Sequence, residues 1–74
     1  MSKRRFVYDE SGTACFNADM IEQARVVAPV AVGGKWRVVF WVRGEDTPVL
    51  ISTQDDQHEA LDALYNFIDV LEGR

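Results

Sequence analysis

The chain has 74 residues, and among them are one cysteine, one histidine and two prolines. A lone Cys15 closes no intramolecular disulfide and builds no cysteine zinc site, which fits a reducing compartment. Set between Ala14 and Phe16 with no histidine at a recognisable spacing, it reads as a small buried hydrophobe, not a nucleophile. His58 stands four residues before Asp62, with Asp55 and Glu59 nearby. One imidazole among helix carboxylates is a poor ligand set, and hard cations also want loop carbonyls, so no metal is expected.

Other absences narrow the function. No apolar run approaches the roughly 18 residues of a membrane span. The basic start, Lys3-Arg4-Arg5, runs into Asp9-Glu10 with no apolar segment behind it, so the expectation is an unprocessed cytoplasmic protein with no membrane partner. There is no nucleophile elbow, no glycine-rich phosphate loop, no paired-histidine metal motif and no plausible triad. A chain this short buries only about 60% of its unfolded surface and has little depth for a cleft. The reading is a non-enzyme with no cofactor and no small-molecule substrate.

Positive charge is scarce in the second half. Residues 1–43 carry seven Lys/Arg against four Asp/Glu, while residues 44–74 carry eight Asp/Glu against Arg74 alone. The net charge of −4 therefore averages a basic segment and an acidic one. Such asymmetry bears on association and solubility rather than on fold.

What is present is strong patterning, within a single domain over residues 1–74. Residues 5–9 and 14–17 read as a short hairpin around Ser11-Gly12, and Asn17-Ala18-Asp19-Met20 as a turn or single helical turn. A third strand is expected over residues 21–32, with Ala24, Val26, Ala28, Val30 and Val32 on one face and Pro29 marking an edge or a bulge. Gly33-Gly34 then signals a hairpin into Lys35-Trp36-Arg37-Val38-Val39-Phe40-Trp41-Val42-Arg43. The register that keeps apolar residues together pairs Val32 with Trp36, Val30 with Val38, Ala28 with Phe40 and Val26 with Val42. It also sets Arg25 against Arg43. After a turn at Gly44-Glu45-Asp46-Thr47, pairing Arg43 with Pro48 brings Val49 and Ile51 onto the same inner face.

From residue 55 to 72 the period lengthens to about 3.6, with Ala60, Leu61, Leu64, Phe67, Ile68 and Leu71 in one stripe. Thr53-Gln54-Asp55-Asp56 resembles a capping box, with Asp56 itself an alternative N-cap three residues before Glu59, and Gly73 offers the stop. The expected fold is α+β: a two-layer, four- to five-stranded antiparallel β-meander with one C-terminal α-helix packed on one face.

If the helix covers Trp36, Val38, Phe40 and Val42, the other face shows Arg25, Val27, Arg37, Val39, Trp41, Arg43 and Leu50. In the expected register Trp41 sits beside Val27 and Leu50, with Val39 diagonal to both. An apolar centre with a tryptophan, rimmed by arginine, has the composition of a protein-binding hot spot. The leading reading is an interaction module working through this face, as a homodimer or as a docking surface for another protein. A second reading uses the acidic helix residues Asp55, Asp56, Glu59, Asp62, Asp69 and Glu72 as a polyanionic surface. Such a surface would occupy a basic or nucleic-acid-binding site, as do phage-type inhibitors of the anti-restriction or anti-CRISPR class. Single-stranded nucleic acid is a third reading of the Trp41 and arginine set, disfavoured by the net negative charge.

Overall fold

The computed structural model describes residues 6–73. In chain order these form β1 (Phe6–Tyr8), β2 (Cys15–Asn17), a 3₁₀ turn (Ala18–Met20), β3 (Ile21–Val27), β4 (Trp36–Val42), β5 (Val49–Gln54) and the helix α1 (Gln57–Leu71). The class is α+β, but the five strands do not make one meander. β1 and β2 pair with each other, and β3, β4 and β5 form a separate antiparallel sheet with β4 in the middle. The part of the expected first strand at Arg5 lies outside the described residues.

Each element has a local cause. The β1–β2 turn is built on Asp9, whose Oδ1 accepts from the Ser11 hydroxyl (2.8 Å) and the Gly12 N–H (2.9 Å), while Gly12 takes φ +74°. Asn17 caps the 3₁₀ turn by accepting from the Asp19 N–H at 2.9 Å. The helix begins one residue after Asp56, whose carboxylate accepts from the Glu59 N–H at 2.8 Å, so Asp56 is the N-cap. Its period then places Ala60 and Phe67 inward, at 0% and 8% exposure, and it lies against all three strands of the sheet.

The core forms on one side of that sheet. Phe40, fully buried, stacks on Phe67 of the helix with ring centroids 5.3 Å apart and meets Phe16 of the hairpin edge-on at 5.5 Å. Val7 joins this cluster, and Ile21, Ala24, Val42, Val49 and Ile51 pack around it. The hairpin therefore sits on the same side of the sheet as the helix.

Several sequence expectations are corrected. β3 ends at Val27, not at residue 32: Pro29 has no N–H to give to a ladder, so the strand does not continue through it. Residues 28–35 form a loop in which Val30 and Val32 are 98% and 107% exposed instead of lining the core. Its shape is set by Gly33 at φ +81° and by a Gly34 N–H to Ala31 carbonyl bond of 3.0 Å, where a Cβ on Gly34 would meet Pro29 Cβ and the Ala31 oxygen at 3.0 Å.

With that loop, the β3–β4 register moves by four residues: Val26 faces Val38, Ala24 faces Phe40 and Arg25 faces Val39. Arg25 is thus not opposite Arg43. An even shift keeps every side chain on its expected face, which is why the facing pattern survives while the pairs change. Phe40 faces Val49, and a bulge in β5 then sets Val38 against Ser52 and Trp36 against Gln54. Trp36, expected in the core, is half-buried, and Cys15 is exposed, because in three-residue β2 it alternates with the inward Phe16.

Candidate functional site

The face of the sheet away from Phe40 is made of three cross-strand rows. Val27, Arg37 and Thr53 form one, Arg25, Val39 and Leu50 the central one, and Gln23 with Trp41 the third. The residues expected to share this face are brought together by the observed register, with Arg43 just past the end of β4. Their neighbours differ from the expected ones: Trp41 lies beside Gln23, not between Val27 and Leu50, and Val39 holds the centre.

Accessibility divides the set. Arg25, Arg37 and Arg43 are exposed, while Val27, Trp41 and Leu50 are half-buried. Val39 is only 4% exposed. It is flanked across the strands by Arg25 and Leu50 and along β4 by Arg37 and Trp41, long side chains whose stems shield a short one. Val39 is thus the support beneath the face, and Trp41, Leu50 and Val27 are its accessible apolar parts.

The charges are unevenly compensated. Arg43 Nε lies 3.4 Å from Glu22 Oε1, a partner supplied by the bulge between Ile21 and Gln23 in β3. With its amide oxygen turned toward Arg25, Gln23 accepts from Arg25 Nε and Nη2 at 3.2 and 2.8 Å. Arg37 has no carboxylate partner among the described residues. Pattern reasoning missed Gln23 and Glu22 as partners of the arginines, since both depend on the register and the bulge.

No family model, no curated protein and no solved structure matches this chain. The physical character of its surfaces therefore carries the functional argument.

An open cleft of about 410 Å³ adjoins the face at Leu50. It lies between the β1–β2 hairpin and the start of β5 and is lined by Asp9, Glu10, Ser11 and Phe16 of the hairpin and by Pro48, Val49 and Leu50. The Glu10 N–H donates to the Leu50 carbonyl at 2.9 Å, which fixes the hairpin turn against β5.

On the helix and at its two ends, Asp55, Asp56, Glu59, Asp62, Asp69 and Glu72 are all exposed. Several are engaged locally. Asp55 pairs with Lys35, Asp56 caps the helix, and Asp62 Oδ2 lies 3.6 Å from His58 Nε2. The Lys35 ammonium is held above its ordinary value, first by the hydrogen bond to Asp55 and then by the attraction of that same carboxylate. The described residues contain no group of three or more His, Cys, Asp or Glu side chains placed to hold a metal ion, and no helix among them is long and apolar enough to cross a membrane.

Proposed function

We propose that the protein is a non-catalytic interaction module that docks another protein on the Trp41 face of its β3–β4–β5 sheet. One observation carries the reading: the helix and the N-terminal hairpin both pack on the Phe40 side, through Phe67 and Phe16. The opposite face keeps a tryptophan, a leucine and a valine half-exposed among arginines, and no element among the described residues forms a layer over it. A solvated face of a small antiparallel sheet is ordinarily polar. Trp and Arg around a dry centre are the residues that dominate protein-binding energetics, with the rim excluding water. Arg37, without a carboxylate partner among the described residues, favours a partner with carboxylates at the margin of the contact.

The acidic-helix inhibitor remains the competing class. It has less support, because part of its carboxylate set is already spoken for within the chain, by Lys35, by the helix N-terminus and by His58.

Binding partners captured on the immobilised chain and identified by mass spectrometry would supply the ligand for an affinity comparison. Trp41→Ala and Leu50→Ala are expected to remove most of the affinity at both low and high salt. Changing Asp55, Asp56, Glu59 and Asp62 together to Asn or Gln is expected to leave it within a few-fold. Loss of binding in the carboxylate set alone, with a steep salt dependence, would replace this reading with the inhibitor.

A further inference from the structure

The three-stranded sheet has an unused edge. β4 takes up one side of β3, and no strand among the described residues pairs with the other. Both ends of this strand carry apolar side chains in water: Met20 at 39% exposure just before it, and Val30 and Val32 at 98% and 107% just after it. Exposed apolar residues at both ends of an open strand are what an antiparallel self-pairing brings together, since the start of one copy then lies along the end of the other.

We infer that β3 is a homodimerisation edge, joining two copies into a continuous six-stranded antiparallel sheet. A two-fold axis perpendicular to the sheet requires facing residues to share a side, so the axis must pass through a residue and its own copy. Centred on Arg25 it would set two like charges directly opposite each other. Centred on Gln23 it would force the pairing through the bulge at Glu22 on both strands. Centred on Ala24 it places Gln23 of each copy opposite Arg25 of the other, a complementary pair, and clears both bulges from its middle. Met20 of one copy then runs beside the loop segment at Ala28 and Val30 of the other, twice by symmetry. The Trp41 faces of the two copies end up on the same side as one surface. The inference stands on the edge and its flanking residues and does not rest on the docking reading.

The test is sedimentation equilibrium on the full chain and four variants. The wild type is expected to show a reversible monomer–dimer equilibrium. Gln23→Arg puts two arginine pairs across the proposed axis and is expected to weaken the dimer at least tenfold, about 1.4 kcal/mol. Gln23→Arg combined with Arg25→Glu restores an opposite-charge pair in the same register and is expected to recover it. Val30→Ser with Val32→Ser changes only exposed side chains, so the monomer stays folded while the dimer weakens by roughly tenfold. A chain that remains monomeric at about 1 mM, the weak end of specific association, overturns the proposal. So does a dimer that Gln23→Arg leaves intact, and if Trp41→Glu dissociates that dimer, the self-contact belongs to the sheet face instead.

Discussion

The two faces of the β3–β4–β5 sheet come from alternate residues of the same strands but are finished in different ways. On one, Val38 and Phe40 reach 0% exposure beneath the helix and the hairpin. On the other, Val39 reaches 4% with no layer above it among the described residues, between Arg25, Leu50, Arg37 and Trp41. A small sheet can thus dry its centre either with another element or with the stems of its own long side chains. Only the first arrangement packs rings against rings, so the two should respond very differently to mutation.

The largest effect is expected at Phe40. Removing the ring that joins Phe16 to Phe67 costs about 3 to 5 kcal/mol, comparable to the entire stability of so small a domain. Phe40→Ala should therefore be unfolded by circular dichroism at room temperature. Trp41→Ala, on the opposite face, should stay folded with a clear urea transition. Trp36→Ala should fall between them, because Trp36 is half-buried and lies at the end of the sheet opposite Gln54. If Trp41→Ala unfolds and Phe40→Ala does not, the assignment of the two faces is reversed.

Val39→Ala sharpens the comparison from the other side. Val39 is nearly as buried as its neighbours but is covered by flexible stems that can settle into the gap, so the loss should be about 1 kcal/mol, at the low end for truncating a core side chain. A loss near 3 kcal/mol in urea denaturation would mean that the uncovered face is as tightly packed as the covered one.

What the sequence disclosed tracks where its signals were redundant. The helix was legible because period, cap and stop agree: Ala60, Leu64 and Phe67 fall on one stripe, Asp56 precedes them and Gly73 follows. The division of β4 into a Phe40 side and a Trp41 side was legible too, because strict alternation fixes it whatever the partner strand does. The end of β3 was not. Ala24, Val26, Ala28, Val30 and Val32 alternate as if one strand continued, and alternation alone cannot separate a buried row from valines in a loop. Pro29 is the better signal, because a residue without an N–H ends the ladder here instead of only marking an edge or a bulge. Of the proposed site, its membership was legible, but the central place of Val39 and the pairing of Arg43 with Glu22 were not, since both follow from the register and the β3 bulge.

A smaller effect tests how the covering layer is attached. Asp56 holds the first turn of the helix through the Glu59 N–H, and Asp56→Ala should cost about 1 kcal/mol. Because the helix lies wholly on the Phe40 side, the same substitution should leave partner affinity at the Trp41 face unchanged within error. Loss of affinity in step with stability would show that the two faces are coupled.

The smallest expected effect distinguishes the faces by pH. The covering layer is pinned at its surface by two charged groups, Asp9 in the turn that fixes the hairpin to Leu50, and Lys35, which reaches Asp55 ahead of the helix. Asp9 is held below its ordinary 3.8, chiefly by the Ser11 hydroxyl and also by backbone N–H groups of its turn. A depressed carboxyl contributes stability that is complete above its unfolded value and is lost as pH falls through the folded one, so this pin weakens in acid. Lys35 is held above its ordinary 10.5 by Asp55, and a raised ammonium contributes stability below that value that is lost as pH rises through the folded one. Between these limits neither group changes charge, and stability should be flat with respect to both. Asp9→Asn should remove part of the acid-side slope and Lys35→Met part of the alkaline-side slope, each by an amount kept small by solvent screening. Urea midpoints measured from pH 2.5 to 11.5 would check both signs, and an Asp9→Asn variant whose deficit relative to the wild type is as large at pH 2.5 as at neutral pH would show that this turn does not anchor the hairpin through its carboxylate.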